Sequence, residues 1–191
     1  MRNALASQLR LDGRSVENVK LNFNCRSEIV PILRALQYLY GQPKLRDEIL
    51  EHIARDVNGN ASRRRGREGM DYWQILVLAA VRLGCNLDYD ALQDLADQHR
   101  ALRQIMGLGD WDDQAFDWRR IRDNVCKVRP DTIERINHLI VAAGHQLVPQ
   151  AGEKVRADSF VPSSTRLWGR RRRFPCQIRT YERFVSFTMN I

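Results

Sequence analysis

Apolar positions in this chain change period twice. From Ser27 onward, Ile29, Ile32, Leu33, Leu36 and Tyr40 recur at the three- and four-residue spacing that turns one side of a helix toward a core. That spacing predicts a helix capped by Ser27, with Pro31 in the first turn, where its missing N–H costs little, and Gly41 at the end. Pro43 opens a second helix that would bury Leu45, Ile49, Leu50 and Ile53 and stop near Asn58-Gly59-Asn60. A third is expected from about Glu68 to Gly84. Its centre, Ile75 to Val81, is apolar on nearly all sides, which marks the helix that the others pack around.

Asp88 is placed to cap a fourth helix, with Leu92, Leu95 and Ala96 on one face, and a short helical turn from Ala101 to Met106 follows, closed by Gly107 and Gly109. A helix from about Ala115 to Val128 carries acids early and Arg119, Arg120, Arg122 and Lys127 later, the order that complements a helix dipole. Pro130 ends it and begins the last, whose stripe of Ile133, Ile136, Ile140 and Ala143 runs to Gly144. No repeat of fixed period emerges.

Outside this span the pattern differs. Residues 1–25 are polar, with one short alternating run, Val19-Lys20-Leu21-Asn22-Phe23, and are expected to form a flexible arm with at most a short strand. Beyond Pro149, Lys154 to Val161 alternates and ends in β-formers, which predicts an isolated strand. A lone strand is not stable by itself, so it would open a second domain. The expected fold is mainly α: a bundle of six to seven helices over 26–148, a strand within 149–161, and a disordered basic tail over 162–191.

Composition refines this picture. The chain has 191 residues, with 31 Lys and Arg against 23 Asp and Glu, a net charge of +8. Segment 162–191 holds seven arginines against the single acid Glu182, so it contributes +6 and leaves +2 for everything before it. A basic balance of this kind suggests a polyanionic partner, nucleic acid being the commonest. The longest apolar run, Ile75 to Val81, is far short of the roughly 20 residues of a membrane span, and no apolar leader is visible, so a cytoplasmic protein without a membrane partner is expected. Cys25, Cys85, Cys126 and Cys176 lie far apart without a CxxC pair, which predicts reduced and mostly buried thiols.

The basic loop Arg63-Arg64-Arg65-Gly66-Arg67 has two readings, contact with DNA phosphates or a merely solvated turn. The helix bearing Arg119, Arg120, Arg122 and Lys127 would enter a groove if the helix over 88–99 braced it as in a helix-turn-helix. Asp112, Asp113, Asp117 and Asp123 nearby would oppose this unless turned away. Trp73, Trp111, Trp118, Tyr38 and Tyr89 are expected to pack in or against the core rather than stack on bases. His52, His99, His138 and His145 show no metal-binding spacing.

Gly69-Met70-Asp71-Tyr72-Trp73-Gln74, Leu83-Gly84-Cys85-Asn86-Leu87-Asp88-Tyr89-Asp90, the helix from Leu92 to His99 and Val155-Arg156-Ala157-Asp158-Ser159 together resemble bacterial insertion-sequence transposases of the DDE type. Arg26 to Asn60 resembles the upstream helices of those proteins, so the likeness covers about residues 25–161. It implies a helical domain that binds transposon ends, followed by the first strand of an RNase H-like domain whose first catalytic acid is matched by Asp158. It further implies metal-dependent strand transfer, in which three carboxylates hold two Mg2+ ions. Here the chain departs from the family pattern, because it ends 33 residues after Asp158 and only Glu182 follows as an acid.

The likeness stops at Val161, which leads to the expectation that residues from about 162 are translated out of frame and that the chain is without catalysis of its own; a short form with its own basic tail is the alternative. Asp158 is then either a first triad acid, a metal ligand only in an intact homologue, or a solvent-facing residue. Expected partners are transposon-end DNA and either full-length transposase or a second copy. The other functional readings are a non-catalytic regulator of transposition and a helical protein-interaction module.

Overall fold

The computed structural model describes residues 4–5, 15–59 and 69–147, and within them the helical periods become seven helices. These are α1 (Ile29–Tyr40), α2 (Pro43–Asn58), α3 (Tyr72–Gly84), α4 (Tyr89–Gln98), α5 (Arg100–Ile105), α6 (Trp118–Val125) and α7 (Pro130–Leu147). No strand occurs among the described residues. The strand expected within 149–161 and the basic tail over 162–191 lie outside them.

The continuous apolar run places α3 at the centre. Ile75, Val77, Leu78 and Val81 are fully buried, and α1, α2, α4 and α6 all pack on this helix. Each such side chain contributes roughly 1.5–3 kcal/mol on leaving water, which is why a helix apolar on every side takes the middle. Asp71 begins it with extended dihedrals and a reciprocal capping box with Gln74, so the helix starts at Tyr72 rather than near Glu68. The Trp73 indole N–H donates to the Ile105 carbonyl at 2.7 Å, and its ring meets Tyr40 edge-on with centroids 5.1 Å apart. One side chain thus joins α3 to α5 and α1.

Several boundaries differ from the spacing. Ser27 makes no side-chain cap; its carbonyl accepts the Val30 N–H, and α1 starts at Ile29, with Pro31 third in the helix, where the N–H has no helical acceptor anyway. Asp88 does cap α4, accepting the Ala91 N–H at 2.8 Å. α5 is capped by His99, whose Nδ1 accepts the Leu102 N–H at 3.1 Å. α7 runs through Gly144, which is buried within it, because a helical glycine costs only about 1 kcal/mol against a continuing apolar stripe.

The segment before α1 is held more closely than its polarity implies. Val16 to Asn18 form a 3₁₀ turn, the alternating run from Val19 to Phe23 forms no strand, and Val16 and Val19 are buried in the core. The buried Gln37 amide of α1 donates to the carbonyls of Val16, Glu17 and Val19 at 2.9–3.0 Å, and its oxygen accepts from Arg34. At the other end of the fold, the Asp56 carboxylate of α2 accepts both the backbone N–H and the guanidinium Nε of Arg129 at 2.9 and 2.8 Å, fixing the start of α7. The cysteines correct the expectation of burial: Cys25 is exposed, Cys85 and Cys126 are half-buried, and all three are free.

Candidate nucleic-acid interface

Ile121, Asn124 and Val125 face inward from α6, so the helix buries one side against α3 and α4 and turns Arg119, Arg120 and Arg122 to solvent. The helix is shorter than the predicted 115–128. Its start is set by α4, because the Phe116 N–H is bound by the Asp97 carboxylate at 2.8 Å and the Trp118 N–H by the Gln93 side-chain oxygen at 2.9 Å. Asp117 caps the helix, accepting the Arg119 N–H at 2.8 Å. After Val125 the chain tightens into i→i−3 bonds at Lys127 and Val128, then meets Pro130. Lys127 is therefore exposed in the turn beyond α6 rather than on it.

The expected bracing of this helix by α4 is present in geometry, through Gln93 and Asp97. The connection is not the short turn of a helix-turn-helix. Residues 99–117 intervene and contain α5.

Two acids sit on this surface, and each is engaged. Asp117 serves as the cap, and Asp123 takes the Arg122 Nε and Nη2 on one oxygen at 3.0 and 2.9 Å. The hydrogen bond to Asp123, with the charge of that carboxylate, holds the Arg122 guanidinium still more firmly protonated than usual. The Trp118 ring, half-buried, lies beneath two guanidiniums: the central carbons of Arg119 and Arg122 are 5.3 and 5.2 Å from its centroid. The sequence marks Trp118 as a packing residue, and it is half-buried, but its guanidinium contacts and the α4 anchors are not marked. Trp118 with Arg119 and Arg122 at i+1 and i+4 was the available signal, whereas Gln93 and Asp97 act across 25 and 19 residues of chain.

Asp112 and Asp113 belong to a different surface. An open groove of about 720 Å³ lies between the end of α4, α5 and the loop over 109–115. The Arg103 guanidinium staples that loop, donating to the carbonyls of Ala96, Asp112 and Gln114. Arg100 pairs with Asp110 through two bonds, at 3.1 and 2.6 Å. Trp111, expected to pack, stands on the rim 85 % exposed. Tyr38 is also exposed, while Trp73 is buried and Tyr89 half-buried beneath the Arg82 guanidinium.

Arg63, Arg64, Arg65 and Arg67 lie outside the described residues, as does Asp158. Among the described residues no group of three or more His, Cys, Asp or Glu is arranged to hold a metal ion. No ligand set for the Mg2+ that the resemblance implies lies among the described residues. No helix of the described residues is long and apolar enough to cross a membrane. Comparison of the chain with family models, with curated proteins and with solved structures returns no match.

Proposed function

We propose that residues 26–148 are the DNA-binding domain of an insertion-sequence transposase of the DDE type, and that they hold transposon ends through α6 and the turn that follows it. The observation that carries this reading is the basic solvent face of α6, where Arg119, Arg120 and Arg122 project from a helix locked onto α3 and α4, with Lys127 just beyond. Guanidinium and ammonium groups on a rigid support displace the counterions around phosphates, and this release drives most of the affinity of such proteins. The resemblance along residues 25–161 names the class of DNA. In this proposal the chain has no catalysis of its own, and Asp158 matches a Mg2+-holding acid only as it would act in an intact homologue.

A helical protein-interaction module is the second reading, and the exposed Trp111 beside its groove favours it. Titration of the full chain against a labelled duplex of its element's terminal repeat, and against a scrambled duplex, separates the two. The transposase reading expects tighter binding to the repeat and a log K that falls with log salt concentration. The Arg120→Ala/Lys127→Ala double variant should flatten that slope by about 2, close to one unit per lost phosphate contact. Equal, salt-insensitive binding to both duplexes, or none, refutes it.

A further inference from the structure

Resting on that DNA-binding reading, we infer that Trp118 is the positioning residue of a phosphodiester-binding site made by Arg119 and Arg122, with Asp123 as the built-in competitor for Arg122. Arginine side chains on an exposed helix ordinarily sample many rotamers, and ordering them on binding is unfavourable. Here two guanidiniums one helical turn apart rest on a single indole, at 5.3 and 5.2 Å from its centroid. That indole is itself half-buried, and its backbone N–H is tied to Gln93 of α4. The pair is thus set in place before a ligand arrives.

The ligand is a backbone phosphate rather than a base. A planar guanidinium presents parallel N–H donors to two anionic oxygens, and its flat face rests on an aromatic ring without giving up those donors. The indole beneath two guanidiniums is not an open platform for a nucleobase. Asp123 occupies Nε and Nη2 of Arg122, so a phosphate must share that guanidinium or displace the carboxylate. The site therefore binds DNA without regard to sequence and more weakly than its charge alone would allow.

Duplex binding of the full chain, measured across a salt series, tests this with four variants. Trp118→Leu keeps apolar bulk and loses the ring face, and is expected to weaken binding about three- to tenfold on repeat and scrambled duplexes alike, with an unchanged thermal midpoint. Trp118→Phe restores most of the affinity, a rescue that a purely structural role would not give. Arg119→Lys keeps the charge but not the stacked plane and should weaken binding about twofold to fivefold at a nearly unchanged salt slope. Asp123→Asn tightens binding and steepens the slope by up to about one unit. Wild-type affinity in Trp118→Leu and Arg119→Lys overturns this inference while leaving the DNA-binding reading intact. Failure of the unmodified chain to bind any duplex overturns both.

Discussion

Asp56 shows how one side chain decides a junction. Its carboxylate is 1 % exposed, whereas the Arg129 guanidinium that it holds is mostly in solvent. Burial would raise this carboxyl, but hydrogen bonds from Thr132, the Arg129 backbone and the Arg129 side chain, together with the Arg129 charge, outweigh it and leave the group below its ordinary value. A folded value below the unfolded one means that the fold favours the charged form. The contribution is complete above the unfolded value of about 3.9 and is lost as pH falls through that value toward the lower folded one. Asp56→Ala should lower unfolding free energy by about 2–3 kcal/mol at neutral pH, since it removes the charge-assisted bonds made by a buried carboxylate. Denaturant titrations should show the gap between wild type and variant narrowing as pH falls below about 3.9.

Residues of this kind are not legible in a single sequence. Asp56 and Arg129 are 73 positions apart, and nothing local marks either one. Trp111 illustrates the opposite error, in which a large apolar side chain expected to pack stands in solvent because the loop beneath it is held by Arg103, not by apolar contact.

Among the elements, the apolar period places α1 to α4 and α7, because a buried stripe repeating every 3.6 residues has no other way to face one core, whereas α6 is marked by its order of charges and α5 by the glycines that close it. The cap at Asp88 was legible too, whereas Ser27 makes none and those at Asp71, His99 and Asp117 set starts that the spacing did not mark. The start of α6 was not legible, since its N–H partners come from α4. The 3₁₀ turn at Val16 was hidden for the same reason: its carbonyls are satisfied by Gln37, about twenty residues downstream. Trp73 is the element-level joint most open to test. Trp73→Phe retains an aromatic ring against Tyr40 but leaves the Ile105 carbonyl without its donor. A loss of about 1–3 kcal/mol in chemical denaturation is expected, with faster amide exchange in α5. Wild-type stability would show that the indole N–H holds nothing together.

Over the whole molecule, net charge proved a poor guide to where a polyanion would bind. Six of the eight excess positive charges belong to segment 162–191, and the part before it is nearly neutral. What matters there is segregation: α6 and the following turn gather cations, while the groove by α5 gathers Asp97, Asp110, Asp112 and Asp113 around Arg100 and Arg103. The two surfaces make opposite predictions for a phosphate backbone, and their position relative to each other depends on packing that no run of residues reveals. The basic loop at Arg63 to Arg67 and Asp158, the acid matched by resemblance, lie outside the described residues, and so the candidate interface rests on α6 and the turn that follows it.

Amide hydrogen exchange of the full chain with and without the terminal-repeat duplex tests the central claim most directly. Slowed exchange is expected over residues 118–129, with the groove loop over 109–115 unchanged. Slowed exchange confined to 109–115, or no change anywhere at a saturating duplex concentration, would contradict it.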